Sequence, residues 1–164
     1  MAENLGTFAL RPRRSLAILG LVYPKPARTF GRRMLRGLGV LWAGPGSLAG
    51  LALILAARAV ARSSLRRHRG TLEACGAGIA TILDRLGPRG RLQSITLGHV
   101  ILARNEEALD LYREHERVHV RQWSRWGPLF LLAYPVASLW AMVRGRGAYR
   151  GNRFEREAWR AGPL

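Results

Sequence analysis

The sequence predicts an α+β domain, and three observations carry that prediction. A stretch from Asn105 to Trp126 has helical apolar spacing and contains the pentapeptide His115-Glu116-Arg117-Val118-His119. Just before it, Leu92 to Ala103 alternates as a strand does, behind the turn Gly87-Pro88-Arg89-Gly90. Two further apolar runs, Gly37 to Ala57 and Leu129 to Val143, add helical segments.

A chain of 164 residues suits one domain with a modest core. Lys and Arg number 27 against 10 Asp and Glu, a formal net charge of +17, with Lys25 the sole lysine. Such a balance calls for an anionic surface, acidic lipid or nucleic acid. The near-exclusive use of Arg beside 19 Gly also suits a GC-rich coding bias, which removes part of that signal. Aromatic residues lie mostly within apolar runs rather than between the arginines, so nucleic acid is the weaker partner class. The single cysteine, Cys75, excludes an internal disulfide and a Cys-rich structural zinc site.

Taken in order, residues 1 to 36 are basic and broken by Pro12, Pro24 and Pro26, which reads as an arm rather than a cleavable leader. Gly37 to Ala57 carries no charge and is flanked by arginines. Its length permits a membrane span, but Gly44-Pro45-Gly46 would break one, leaving a re-entrant hairpin or a pair of short helices. The alternative is a core helix from Ser47 to Ala61; membrane contact is the reading favoured here. Residues 58 to 70 form a basic segment suited to anionic headgroups or, more plainly, a solvated linker. Gly70 to Leu86 suits strand or helix. The organisation expected is therefore a basic arm with an apolar segment over residues 1–69 and a compact domain over 70–164.

Asn105 is placed as an N-cap, with Glu106 and Glu107 in the first turn where the helix dipole favours them. His115 and His119 lie one turn apart on the same helix face, so their imidazoles can converge on one ion. Glu116, about 100° around the helix, sits beside such an ion, placed to take a proton from water. The apolar stripe Ala108, Leu111, Tyr112 runs into His115 and continues through His119 to Gln122 and Trp126, with Arg113, Arg117, Arg121 and Arg125 on the remaining arc. This puts the pair on the inward face, where two unliganded imidazoles would be hard to satisfy. A surface helix with solvated histidines is the plain alternative.

Gly127-Pro128 ends this helix, and the run Leu129 to Val143 carries an internal Pro135. Asn152 then caps a short last helix. A third ligand must come from elsewhere, and Glu155 and Glu157 are the carboxylates that follow the motif. Either could reach in from the last helix, or both could be solvated partners of Arg153, Arg156 and Arg160.

His115-Glu-Arg-Val-His119 followed by Glu155-Arg-Glu-Ala158 resembles the gluzincin branch of zincin metallopeptidases. It is most similar to membrane heat-shock and CAAX-prenyl protease cores and to small bacterial zincin-like proteins. The resemblance covers roughly residues 92 to 160. It implies a small α+β fold with a short antiparallel sheet, a motif helix and a C-terminal glutamate helix. By it, Glu155 is the third ligand of a Zn2+ ion and Glu116 the general base; Glu157 is the alternative ligand. Trp159 stands where those families place an Asp, so a contact supporting the ligands is expected to be missing. The strand Leu92 to Ala103 would be the edge along which a peptide or protein substrate extends, with His99 a neighbour of substrate or metal. Tyr149 or Arg150 would stabilise the oxyanion.

If Leu129 to Val143 crossed a bilayer once, His119 and Glu155 would end about 30 Å apart and could not share an ion. That helix is therefore expected to pack in the domain or lie at the interface, in keeping with Trp126, Tyr134 and Trp140. The expectation is a membrane-associated zinc peptidase, with a non-catalytic basic membrane-surface protein as the alternative.

Overall fold

The computed structural model describes residue 34 and residues 37–161; the rest of the basic arm lies outside them. The elements run α1 (Gly44–Val60), β1 (Ser64–His68), β2 (Thr71–Cys75), α2 (Ala77–Leu86), β3 (Ser94–Leu97), β4 (Val100–Ala103), α3 (Glu106–Trp126), α4 (Phe130–Val143) and α5 (Arg153–Trp159). The class is α+β, as the sequence predicts.

The sheet has the order β1-β2-β4-β3 and is mixed rather than antiparallel throughout. β1 with β2 and β3 with β4 are antiparallel, while β2 and β4 are parallel in the register Leu72↔Val100 to Cys75↔Ala103. A parallel pair needs a long crossover, here supplied by α2 and β3. The stretch expected as one strand, Leu92 to Ala103, is a hairpin instead. Gly98, at φ 61, turns the chain. The basic segment 58–70 contains β1, an exposed edge strand, and Gly70 to Leu86 resolves into β2 followed by α2. The boundary expected at residue 70 thus falls between two paired strands.

Both faces of β4 are covered. Val100 and Leu102 pack with Ile54, Ala57, Ile79 and Leu83 of α1 and α2; Ile101 and Ala103 pack with Ala108, Leu109 and Val120 of α3. α1 is one helix, because Pro45 sits in its first turn, where a missing N–H costs nothing. Residues 37–42 before it are helical as well and Ala43 separates the two, so the stretch from 37 to 57 holds two helical segments, one of the arrangements expected. The glycines of α1 allow close approach: a Cβ on Gly46 would lie 2.6 Å from the Trp123 ring, and one on Gly50 would lie 2.6 Å from Val100. Its outer face keeps Leu48 68% and Leu55 70% exposed.

α3 begins as expected, with the Asn105 side chain accepting from Ala108 N–H at 2.8 Å. It ends at Gly127, whose φ of 53 and contact with the Trp42 ring leave no room for a side chain. The inward stripe follows the expected line except at Leu111, which is exposed. Trp123, Phe130 and Phe154 form a third cluster joining α3, α4 and α5. The continuous helical run Glu106–Val143 includes a stretch long and apolar enough to cross a membrane, of which only 17% is buried inside the protein. The chain nevertheless returns beside α4, since Asn152 Nδ2 donates to Tyr134 O and to Ser138 Oγ.

Candidate metal centre

α5 docks on α3 through a cap. Asn152 accepts from Phe154 N–H at 2.9 Å, and Gln122 Nε2 donates to Phe154 O at 3.0 Å. This docking delivers Glu155 to the histidine pair. His115 Nε2 lies 3.1 Å from His119 Nε2 and 3.3 Å from Glu155 Oε2, and His119 Nε2 lies 3.4 Å from Glu155 Oε1. All three residues are buried. Two imidazole lone pairs and a carboxylate this close in a dry pocket repel unless a proton or a cation lies between them.

Distance supplies a fit test. A tetrahedral ion bound at about 2.0–2.1 Å separates its ligand atoms by about 3.3–3.4 Å. The two imidazole nitrogens are 3.1 Å apart and each has a different Glu155 oxygen within 3.4 Å; with one ligand atom taken from each residue, all three lie within 4.8 Å of one another, close enough for the group to hold a metal ion.

The surrounding contacts orient two of the three ligands. His119 Nδ1 is 2.8 Å from Gln122 Oε1, which can only accept; the proton therefore sits on Nδ1 and leaves Nε2 free to ligate. Tyr134 Oη donates to Glu155 Oε1 at 2.6 Å. His115 is less well served: its Nδ1 is buried without a hydrogen-bond partner, and the Trp159 ring lies edge-on 5.6 Å away.

Burial alone would raise the Glu155 carboxyl, but hydrogen bonds from His115 and His119, the His119 charge and Tyr134 hold it well below the usual carboxylate range. Burial alone would lower His119, yet Glu155 and the nearby Glu116 carboxylate raise it above the ordinary imidazole value. Tyr134 and Tyr149 are both pushed up, first by burial and then by Glu155, so both remain hydroxyls at neutral pH.

Glu116 is buried on the adjoining arc. Ser94 Oγ donates to its Oε1 at 2.6 Å and Thr96 Oγ1 to its Oε2 at 2.5 Å, so β3 holds the carboxylate by both oxygens. Glu116, the three ligands and Tyr149 line one cavity of about 340 Å³ that β3 and α4 wall with Leu97, Phe130 and Leu131. A larger cavity, about 710 Å³, lies by Arg58 and Cys75 and contains none of these residues.

The other expected residues fall elsewhere. Glu157 accepts from Gln122 Nε2 at 3.1 Å and is no part of the ligand group. His99 sits in the β3–β4 turn, not along a strand, with Nε2 3.2 Å from Ser124 Oγ; it is absent from this cavity. Arg150 lines a different one. Sequence reasoning missed Ser94, Thr96 and the role of Tyr134. Alternation along β3, which puts Ser94 and Thr96 on one face, is the signal that could have found the first two.

Comparison with known proteins returns no matching family model, no matching curated protein and no matching solved structure.

Proposed function

We propose that the protein is a zinc-dependent peptidase that works at a membrane surface. The observation that carries this reading is the convergence of buried His115, His119 and Glu155, with one ligand atom of each within 4.8 Å of the others, and Glu116 beside them in one cavity. Two imidazoles and a carboxylate are a common catalytic zinc set, with a fourth position left for solvent. Zinc in such a set acts as a Lewis acid toward water and toward a peptide carbonyl.

The chain's own residues supply the rest. Glu116, fixed by Ser94 and Thr96, accepts a proton from the attacking water on a carboxylate oxygen and returns it to the leaving amine. Tyr149, kept protonated, donates to the developing oxyanion. β3 is a sheet edge beside the cavity, so a substrate strand can pair with its outward backbone groups other than Thr96 O, which accepts from Trp123 Nε1, and the Leu97, Phe130 and Leu131 wall favours an apolar side chain.

Membrane association is supported by α4, where Leu132, Val136 and Val143 are 65–74% exposed, and by Leu41 at 76% before α1. Arg144 stacks over Trp140 at 4.3 Å, a pairing suited to an interface. The return of the chain beside α4 favours a helix lying at the membrane over one crossing it.

A second reading has one observation in its favour. His115 Nδ1 lacks a partner where Trp159 packs, as in a zincin-like protein that keeps the fold and has lost catalysis. Elemental analysis of the purified protein separates both readings from no metal site at all. About one zinc per chain in wild type, lost in His119→Ala and Glu155→Ala, is expected. A wild-type protein that carries none and cannot be loaded sinks the proposal.

A further inference from the structure

The ligand pair occupies one face of α3, and the opposite face lines a second cleft. At about 100° per residue, Arg117, Arg121 and Ser124 fall together, away from His115 and His119. With Arg69 of the β1–β2 turn, His99 of the β3–β4 turn and Val40 they line a cavity of about 430 Å³. No acidic residue lines it.

These arginines differ from the others packed against the sheet. Arg66, Arg104 and Arg113 each pair with a carboxylate at 3.3 Å or less. Among the described residues, Arg69 and Arg121 have no carboxylate within 4.0 Å. Arg117 Nη1 is buried and has Glu114 Oε1 at 3.6 Å, within ion-pair range but too long for a hydrogen bond. His99, lowered by burial and so neutral, leaves Nδ1 buried and unpartnered as well.

Arg69 adds a conformational observation. Its φ of 46 is the one positive value outside glycine among the described residues. A left-handed non-glycine residue is strained, and glycine would take this turn position without that strain. Arg69 occupies it and lies on the lining of the cleft.

We propose that this cleft is a binding site for a phosphoryl anion, in which Arg69, Arg117 and Arg121 hold the phosphate of a lipid headgroup or free phosphate. Guanidinium forks match phosphate oxygens in bidentate pairs, and three of them exceed the charge of one dianion. Val40 at the cleft and Leu41 beside it, 50% and 76% exposed, put apolar surface next to the anion site, as a lipid requires. The site is independent of the metal centre.

The test compares wild type with a cleft variant, Arg69→Ala/Arg117→Ala/Arg121→Ala, and with a charge-matched control, Arg85→Ala/Arg91→Ala/Arg125→Ala. Co-sedimentation with phosphatidylcholine vesicles containing phosphatidic acid is run beside calorimetric titration with inorganic phosphate, at physiological salt. Loss of about tenfold or more in vesicle affinity for the cleft variant, against a small change in the control, is expected from charge-assisted contacts. Cleft-dependent binding of vesicles alone assigns the headgroup; cleft-dependent binding of inorganic phosphate as well assigns the free anion. Equal losses in both variants would show diffuse attraction to a chain of net charge +17 and overturn the proposal. So would duplex DNA binding with neither vesicles nor phosphate bound. Should the triple variant fail to fold, Arg121→Glu, at an exposed position, carries the same comparison.

Discussion

Two carboxylates are almost wholly buried near histidines, and they meet opposite fates. Glu73 on β2 is 0% exposed, and Glu155 on α5 is 2% exposed. Glu73 Oε2 faces Arg66 Nε and Arg113 Nε, each at 3.3 Å, with His68 Nδ1 3.3 Å from Oε1. Arg66 continues to Glu106 and Asp110, and Arg113 to Asp110. A guanidinium does not give up its proton, so Glu73 is neutralised permanently and tied into a network that fixes β1, β2 and α3. Glu155 faces two imidazoles and a phenol, groups whose charge is conditional and whose free lone pairs converge. A buried carboxylate must be neutralised in either case. Where the counter-charge is exchangeable, a cation can take the proton's place, and the result is a site rather than a strut.

The largest effect expected is catalytic. Glu116→Gln keeps the shape of the side chain, with one of the two β3 hydroxyls turning from donor to acceptor, but cannot act as the base. Peptide hydrolysis should fall about 10²- to 10⁴-fold, while zinc content stays at the wild-type level. Hydrolysis unchanged in this variant would remove Glu116 from the chemistry and, with it, the enzyme reading. At the other carboxylate, Glu73→Gln should cost about 3 kcal/mol in urea unfolding by leaving Arg66 and Arg113 short of a buried partner. Its zinc content should not change. A Glu73 variant that lost zinc would show the two clusters to be one unit.

A smaller effect tests the support behind a ligand. Gln122→Leu removes the acceptor that fixes His119 Nδ1 and the donors to Phe154 O and Glu157. Zinc affinity should weaken about 10- to 100-fold, read by competition with a chromophoric chelator. An affinity equal to wild type would show that packing alone orients His119.

What the sequence made legible follows from how local each feature is. The motif, its Asn105 cap and its inward stripe depend on contacts within a few residues, so spacing alone reveals them. Glu155 and Glu157 stood out because so few carboxylates follow the motif, and Asn152 marked the start of their helix; the choice of Glu155 between them came from the resemblance alone. Ser94, Thr96 and Tyr134 escaped because their contacts with Glu116 and Glu155 cross between elements, and only the docking of β3 and α4 on α3 brings them together. The parallel pairing of β2 with β4 escaped for the same reason. The hairpin at Gly98 was concealed because alternation runs through the turn without a break, and the left-handed φ that reverses the chain leaves no mark in hydropathy. Gly44-Pro45-Gly46 was legible in part: the helical segment 37–42 stops just before it and α1 starts at it, while the packing of Gly46 on Trp123 crosses between elements and left no mark in the sequence.

The pH dependence of the metal-free protein separates the two carboxylates most finely. Glu155 is held below its ordinary 4.5, so it contributes stability above pH 4.5 that is lost as pH falls through its folded value. His119 is held above its ordinary 6.5, so it contributes stability below pH 6.5 that is lost as pH rises through its folded value. Both contributions are complete only between pH 4.5 and 6.5, and thermal unfolding of the zinc-free protein should be highest there. Bound zinc takes the place of the His119 proton, so the zinc-loaded protein should gain on the metal-free one as pH rises past that window. In metal-free Glu155→Gln both slopes should shrink, because His119 loses the charge that raises it. In Glu73→Gln they should persist, since Glu155 and His119 keep each other as partners there. Equal pH profiles for metal-free wild type and Glu155→Gln would mean that no exchangeable proton is held between Glu155 and the imidazoles, and the distinction between the two carboxylates would fail.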